Sequence, residues 1–313
     1  MGKIRSAADI APWGPYISLS LADTLKQATK CAFGPLRSWW MRGKVRFSKR
    51  VIADLRLLSE TLTLPEFSPI WSCYLGLLVP RDPTHSFLLD ASYEGVGGWS
   101  LDFRVKWRLT LQDLIDVGFN MKVVAALTGE PNPDQAGLHI NPLEFLACII
   151  NLWLFLCLIR REPQCATGYI LDLISDNTSA LSWLKVTAMT KDLLLQPLAC
   201  FASALIIKAR TLLTRVQPKH IPGKDNIEAD ALSRYTNGHY RSWADITAQC
   251  SRLQTCRICL LPRKLLSVLA DLSSSRPIEG TYDDLATSRL MPELDFLPDG
   301  SDLLVIRSSL PPL

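Results

Sequence analysis

The stretch SFLLDASYEGVGGWSLDFRVKW, residues 86–107, decides the fold of this chain. It opens with a short apolar run that ends in an acid, Asp90. The next segment, residues 91–98, is turn-like and rich in glycine, and a strand-like pattern resumes over residues 99–107. Such runs, separated by turns, predict a meander of antiparallel strands. The acid at the end of the first strand then lies at an edge of the sheet.

A long apolar helix is predicted further along the chain. The segment Asn141-Pro-Leu-Glu144 has the residue types of a helix start, with Asn as N-cap, Pro as first helical residue and Glu as third, a capping-box arrangement. The most hydrophobic segment, residues 145–159, follows directly. It is shorter than the roughly 20 residues that a bilayer span requires, and Asn151 interrupts it. We therefore expect a helix buried in a soluble domain, and no membrane partner.

The rest of the central region alternates strands and helices. We predict a strand over residues 169–175, a helix over 178–185, a long helix over 192–213, an extended segment over 214–221 and a helix capped by Asn226. Pro197 lies in the early turns of the long helix or at its true start. This order is typical of an α/β domain, and we expect a mixed five-stranded sheet flanked by helices.

Acids occupy the ends of these predicted elements. Asp90 and Asp176 end strands, while Glu144 and Asp230 lie in the first turns of helices. In an open α/β sheet, ligands bind beyond the carboxyl ends of the strands, so these side chains are expected on one rim. Clustered carboxylates raise each other's pKa, and a divalent cation such as Mg²⁺ or Mn²⁺ relieves their repulsion. Taken singly, each acid also suits a cap or a turn, which leaves a purely structural role open.

Four segments around these acids resemble the motifs of ribonuclease H domains in reverse-transcribing elements. They are Leu88-Leu-Asp-Ala-Ser-Tyr-Glu-Gly-Val-Gly-Gly-Trp-Ser100, His139-Ile-Asn-Pro-Leu-Glu-Phe-Leu-Ala147, Ile174-Ser-Asp-Asn-Thr-Ser-Ala-Leu-Ser-Trp183 and His220-Ile-Pro-Gly-Lys-Asp-Asn-Ile-Glu-Ala-Asp-Ala-Leu-Ser-Arg234. The fourth is the most specific of the set. The likeness covers about residues 50–240 and is closest to ribonuclease H regions of retrotransposon polyproteins, including those of the tyrosine-recombinase type.

The resemblance implies a ribonuclease H-like fold and endonucleolytic cleavage of the RNA strand in RNA–DNA hybrids. Carried over by motif, the ligands of two Mg²⁺ or Mn²⁺ ions are Asp90, Glu144, Asp176 and Asp230. In that mechanism one ion activates water and the other stabilises the leaving 3′ oxygen. His220, which opens the fourth motif, then assists proton transfer or product release; a surface histidine at a strand end is the alternative.

Contacts with the hybrid are expected beside these ligands. Ser92, Asn177 and Ser179 are close to them in sequence and can bind the 2′-hydroxyls that distinguish RNA from DNA. Ordinary turn and cap hydrogen bonds use the same residue types, so that role stays open as well. Lys224 stands where cellular ribonucleases H often carry a second histidine, which makes the substrate contacts of its loop a weaker prediction.

We expect three regions in the chain. Residues 1–80 form a basic helical segment resembling the thumb and connection of reverse transcriptases. Residues 81–240 form the ribonuclease H-like domain, with a polar insertion at 110–138, and residues 241–313 a partly disordered tail with one helix at 260–272.

No polymerase palm is visible, because Tyr282-Asp-Asp284 lies in the polar tail and not on an apolar hairpin. The polymerase part of a reverse transcriptase is a candidate partner, and the chain itself a fragment of a polyprotein or a domesticated copy.

Composition narrows the class of protein. Apolar residues make up 48% and charged residues 20% of the chain, which predicts a packed core. The net charge of +4 is too small to prove a nucleic-acid partner. The nine cysteines are scattered, several of them in apolar runs, as in an intracellular protein of the cytoplasm or nucleus. Cys256 and Cys259 form one Cys-x-x-Cys without the second pair of ligands that a zinc site needs.

Two other functions stay open. One is a non-catalytic ribonuclease H-like module from a decayed or domesticated element, acting as a connection or a nucleic-acid platform. The other is a different nuclease on the same fold. Proofreading exonucleases carry Asp-x-Glu on the first strand, where this chain has Asp90-Ala-Ser92, and a transposase-like site ends in Glu, where this chain has Asp230.

Overall fold

The computed structural model describes residues 81–121, 123, 140–162, 168–184, 195–234, 243–274 and 295–296. The predictions for residues 1–80, for most of the polar insertion and for the end of the tail lie outside the described residues. So does the part of the long helix predicted before residue 195.

The strands of the described region form one mixed sheet. They are β1 (His85–Ala91), β2 (Gly95–Ser100), β3 (Val105–Thr110), β4 (Tyr169–Ser175), β5 (Thr214–His220), β6 (Arg257–Leu260) and the two-residue β7 (Asp295–Phe296). Their order is β5-β4-β1-β2-β3-β6, with β7 beside β6. β1, β2 and β3 form the predicted antiparallel meander. The predicted bounds are wrong, because residues 95–98 of the glycine-rich segment lie in β2 and a turn at residues 101–104 divides the segment predicted as one strand. β4 pairs parallel to β1, and β5 parallel to β4, so the strand directions are mixed as expected.

The sheet is wider than the sequence predicts. β6 pairs parallel to β3 as a sixth strand, so the prediction of five strands is wrong. Cys259 is the buried residue of this four-residue strand, and its neighbours are partly or fully exposed. A strand that short carries neither a long apolar run nor an alternating pattern, which is why the sequence does not mark it.

Seven α-helices accompany the sheet in the described region. They are α1 (Leu111–Asp116), α2 (Ile140–Ile159), α3 (Thr178–Leu184), α4 (Gln196–Thr211), α5 (Ile227–Ser233), α6 (Trp243–Gln249) and α7 (Arg263–Ser273). Pro197 lies in the first turn of α4, which confirms that it marks the true start of that helix. α7 corresponds to the helix predicted in the tail. α6 adds a second helix to that region, beyond the one that the sequence predicts.

α2 is the centre of the main core. Its residues 142–159 are all buried, and the helix contacts β1, β2 and β4 as well as α3 and α4. A helix that is apolar on every side has to be covered on every side, which explains its long apolar run. By length and composition alone α2 is also able to cross a membrane, but here its apolar residues are buried inside the fold.

A second hydrophobic cluster covers the opposite face of the sheet. Side chains alternate along a strand, so Val96 of β2 faces the main core while Trp99 faces α5 and α6. Cys256 belongs to this second cluster and Cys259 to the main core. The two cysteines of the Cys-x-x-Cys therefore face different cores, and this placement does not suit a shared zinc ion.

Candidate metal centre

Three of the predicted acids meet at one edge of the sheet. Asp90 is near the end of β1, Asp176 directly follows β4, and Glu144 is in the first turns of α2. One carboxylate oxygen from each lies within 4.8 Å of the other two. β1 and β4 are parallel neighbours, so both strands deliver their acid to the same edge. Asp90 and Glu144 are buried and Asp176 is half-buried. These three residues are called the acid cluster below.

Glu144 is held by the two strands it faces. The backbone N–H of Ala91 donates to its Oε1 at 3.2 Å, and the Ser175 hydroxyl donates to its Oε2 at 3.1 Å. The helix already begins at Ile140, so Asn141 lies inside it and does not precede it as an N-cap. The capping-box role expected for Glu144 is therefore wrong, because both of its oxygens bind the ends of β1 and β4.

Asp90 is held from the opposite face of the sheet. The hydroxyl of Ser233, the last residue of α5, donates to Oδ2 of Asp90 at 2.6 Å. At the other end of the helix, the Asn226 side chain donates its Nδ2 hydrogen to the carbonyl oxygen of Leu89 at 2.9 Å. Asn226 precedes α5 as expected, but its side chain makes no cap hydrogen bond. It ties the helix to β1 instead.

The electrostatics of the acid cluster favour a bound cation. Burial, reinforced by the charges of Asp90 and Asp176, raises the pKa of Glu144 to about 9. Burial also raises the pKa of Asp90 to about 6, with smaller contributions from Asp176 and Asp230. Such carboxylates resist ionisation until a positive charge arrives. Three carboxylates this close together offer hard oxygen donors, so the residues present fit a divalent metal ion.

Asp230, the predicted fourth ligand, lies beside the acid cluster and not within it. It is carried by α5, and its Oδ1 accepts a hydrogen bond from Nε of Arg234 at 2.6 Å. It is still near enough for its charge to contribute to the raised pKa of Asp90. The structure thus brings together three of the four predicted ligands and places the fourth next to them, paired with an arginine.

The loop between β5 and α5 lies against Asp176. His220, the last residue of β5, places its Nε2 at 3.1 Å from the carbonyl oxygen of Asp176. Because a carbonyl only accepts hydrogen bonds, Nε2 carries the proton. Gly223 approaches the side chain of the same residue, where an added Cβ would lie 2.7 Å from Oδ2 of Asp176. His220 and the loop glycine therefore both adjoin the half-buried member of the acid cluster.

The predicted substrate-contacting residues are placed differently from one another. Ser92 donates its hydroxyl to the Ser233 carbonyl at 2.6 Å, and Asn177 binds Asn141 through Nδ2 at 2.7 Å. The Asn177 side chain also accepts from the backbone N–H of Ala180 at the start of α3, as a helix cap. The cap alternative holds for Asn177. The turn alternative holds for Ser92, whose hydroxyl oxygen accepts the backbone N–H of Glu94 at 3.0 Å, whereas its bond to Ser233 joins distant segments. Ser179 is half-buried in the first turn of α3, whereas Lys224 is exposed and follows Gly223 in the chain.

Several supporting residues escaped the sequence reasoning. Ser175 and Ser233 each bind a cluster carboxylate, and Arg234 binds Asp230. A signal for Ser175 was present, because it is a hydroxyl residue at the end of a predicted strand, directly before Asp176. Ser233 follows Asp230 by three positions on a helix, which places both on one face. Their partners lie on other elements and cannot be read from local spacing.

Comparisons with known proteins identify no relative of this chain. No family model, no curated protein and no solved structure matches the chain. Its function has to be inferred from the acid cluster and the sequence motifs.

Proposed function

We propose that this chain is a metal-dependent endonuclease of the ribonuclease H type, which cleaves the RNA strand of RNA–DNA hybrids. The observation that carries the proposal is the acid cluster, in which Asp90, Glu144 and Asp176 bring their oxygens within 4.8 Å at the ends of two parallel strands. The motifs that surround these acids are those that resemble retroelement ribonuclease H domains.

The topology supports the same proposal. Three antiparallel strands, β1 to β3, are followed by two strands that extend the sheet in parallel on the other side of β1. α2 covers one face and α5 the other, and both reach the edge that holds the acids. We propose that this arrangement is a ribonuclease H-like fold, preceded in the chain by a thumb- or connection-like segment.

The chemistry would use Mg²⁺ or Mn²⁺. When bound, such ions lower the pKa of water and stabilise negative charge on the leaving 3′ oxygen. Asp90, Glu144 and Asp176 would hold them, and Asp230 would complete the ligand set from α5. The hydrogen bonds from Ala91 and Ser175 keep the Glu144 carboxylate directed at the site.

Two exposed side chains beside the acid cluster suit the handling of substrate. The Nε2–H of His220 is held by the Asp176 carbonyl, so Nδ1 is the atom that can take up or give a proton. Lys224 is exposed on the adjoining loop and can bind a backbone phosphate. We propose the hybrid as the substrate because the motifs around the acid cluster resemble those of ribonuclease H domains, whose hybrid substrate exposes 2′-hydroxyls in a wide minor groove.

A cleavage assay with matched duplexes tests the proposal. The same sequence is prepared as an RNA–DNA hybrid, an RNA duplex and a DNA duplex, with a label on one strand, and incubated with Mg²⁺ or Mn²⁺. We expect cutting of the RNA strand of the hybrid alone, and none after chelation of the metal. Equal cutting of all three duplexes, or no cutting by a folded protein, would contradict the proposal.

A second candidate is a non-catalytic nucleic-acid-binding module. The ion pair between Asp230 and Arg234 favours it, because it leaves three acids and not four in contact distance. In the same assay this candidate predicts hybrid binding, seen as a mobility shift, without cleavage under any metal condition.

A further inference from the structure

Ser233 fastens the end of α5 to the end of β1 and to the residue that follows this strand. Its hydroxyl reaches Oδ2 of Asp90 at 2.6 Å, and its carbonyl oxygen accepts the hydroxyl of Ser92 at 2.6 Å. The residue is fully buried. The end of α5 therefore contacts Asp90, the next-to-last residue of β1, and Ser92, the first residue after this strand.

The direction of the hydroxyl hydrogen is fixed by its surroundings. A hydroxyl has one hydrogen to donate. Oγ of Ser233 lies 2.6 Å from the Asp90 carboxylate and 3.0 Å from the backbone carbonyl of Asp230, and both partners are acceptors. The shorter contact, to a carboxylate, is the stronger hydrogen bond. The hydroxyl therefore donates to Asp90.

We propose that Ser233 is a positioning residue of the metal centre: it fixes the orientation of the Asp90 carboxylate and couples that orientation to the helix that carries Asp230. The inference rests on the proposed function only in requiring that the acid cluster binds a divalent ion. Hydrogen bonds to ligating carboxylates orient them, and their loss typically costs about ten- to a hundredfold in metal affinity or activity.

The orientation matters because Asp90 faces repulsion inside the fold. Glu144 and Asp176 offer oxygens within 4.8 Å of its own, and rotation of Asp90 about its side-chain bonds would relieve that crowding. The hydrogen bond from Ser233 opposes this rotation. Because Ser233 belongs to α5, the Asp90 carboxylate takes this orientation only when α5 is packed against the sheet.

The chain supplies a matched control in Ser273. Like Ser233, it is the last residue of its helix, is fully buried and places its hydroxyl near the carbonyl oxygen three residues earlier, that of Ala270 at 2.6 Å. Its hydroxyl oxygen also accepts a hydrogen bond from the backbone N–H of Asn120 at 2.7 Å. Ser273→Ala therefore removes a hydroxyl from the same kind of position without touching the acid cluster.

The experiment measures Mn²⁺ binding, by electron paramagnetic resonance titration, in the wild-type chain and in Ser233→Ala, Ser233→Thr and Ser273→Ala. We expect Ser233→Ala to bind Mn²⁺ about ten- to a hundredfold more weakly. Ser273→Ala should match the wild type. Ser233→Thr keeps the hydroxyl and should recover most of the affinity, which a purely space-filling role for Ser233 would not predict.

Two further measurements keep this inference separate from the proposed function. If Ser233→Ala does not fold, Ser233→Cys replaces the hydroxyl with a much weaker donor of similar size and should show the same loss of affinity. If the wild type binds Mn²⁺ but does not cleave a hybrid, the proposed function fails, while the comparison of Mn²⁺ affinities still decides the role of Ser233. Unchanged Mn²⁺ affinity in folded Ser233→Ala, or absence of Mn²⁺ binding by the wild type, would overturn the inference.

Discussion

Arg234 holds Asp230 one helical turn before it, with Nε at 2.6 Å from Oδ1. The pair lies at the end of α5, beside the acid cluster. An arginine that binds the carboxylate competes with any cation that would use the same oxygens. The proposed ligand set is therefore divided into three acids whose carboxylates lie close together and a fourth, Asp230, that would have to leave Arg234 to bind a metal ion.

This division predicts graded effects on metal binding. Asp90→Asn should abolish tight Mn²⁺ binding, because it removes a member of the acid cluster. Asp230→Asn should weaken it less, by about tenfold, as expected for a group that contributes from the periphery. Arg234→Gln should strengthen binding slightly, because it releases Asp230. Isothermal titration with Mn²⁺ measures all three, and equal losses for Asp90→Asn and Asp230→Asn would contradict the division.

Stability without metal should fall as the pH rises. The pKa of Asp90 is raised from 3.8 to about 6 and that of Glu144 from 4.5 to about 9. Across those intervals the folded chain holds protons that the unfolded chain has released, so both groups lower the free energy of unfolding with rising pH. Glu144→Gln should therefore raise the melting temperature in EDTA at about pH 8 by a few degrees, since 1 kcal/mol corresponds to roughly 2–4 °C in a domain of this size.

The control for this prediction is the same pair of proteins at low pH. Near pH 4 Glu144 is protonated in the folded chain and mostly protonated in the unfolded chain, so the advantage of Glu144→Gln should shrink. Added Mg²⁺ should reverse the order at pH 8, because it stabilises the wild type and not the variant. If the difference in melting temperature between the wild type and Glu144→Gln does not change with pH, protonation of Glu144 does not control the stability of the folded chain.

Gly223→Ala should damage the metal centre more than the fold. An added Cβ would come within 2.7 Å of Oδ2 of Asp176, so the carboxylate would have to turn away. The residue is exposed, and surface substitutions usually change stability by less than about 0.5 kcal/mol. We expect about tenfold weaker Mn²⁺ binding with nearly unchanged urea unfolding. Lys224→Ala, the exposed neighbour, serves as the control and should bind Mn²⁺ like the wild type.

The buried hydrogen bond between Trp107 and Asn151 should contribute to the stability of the fold and not to metal binding. Nε1 of Trp107 donates to Oδ1 of Asn151 at 2.6 Å, and both side chains are fully buried. Asn151→Ala removes the acceptor and leaves a cavity, which should cost roughly 2–4 kcal/mol in urea unfolding. Asn151 follows Glu144 by seven residues, a rise of about 10 Å along the helix, so Mn²⁺ affinity of the folded protein should not change. A large change in affinity would show that this pair also shapes the acid cluster.

Local sequence patterns predict most of the elements around the site. β4 occupies the predicted residues 169–175, β5 ends one residue before the predicted boundary, and α3 begins at the predicted Thr178. Long apolar runs and turn residues mark such elements because their burial and backbone conformation depend on local sequence. The same local information predicts that Asp90, Glu144 and Asp176 stand at element ends, where the sheet then brings them together.

The remaining features depend on contacts between distant segments. The sequence Asn141-Pro-Leu-Glu144 fits a helix cap and a ligand equally well, and the bonds from Ala91 and Ser175, which are distant in sequence, argue against the cap. β6 exists because it pairs with β3, not because its four residues favour a strand. Likewise, the fourth motif does not show whether Asp230 joins the acid cluster or pairs with Arg234.

The most direct test of the central claim is metal-dependent cleavage of an RNA–DNA hybrid by the wild type beside Asp90→Asn and Asp176→Asn. Asp225→Asn serves as a control, because it removes an exposed acid on the loop before α5 that is not part of the acid cluster. We predict that the wild type and Asp225→Asn cut the RNA strand in Mg²⁺ or Mn²⁺ and that both cluster variants lose at least a hundredfold in rate while remaining folded. Cleavage that survives in Asp90→Asn and Asp176→Asn, or no cleavage by a folded wild type that still binds the hybrid, would contradict the claim.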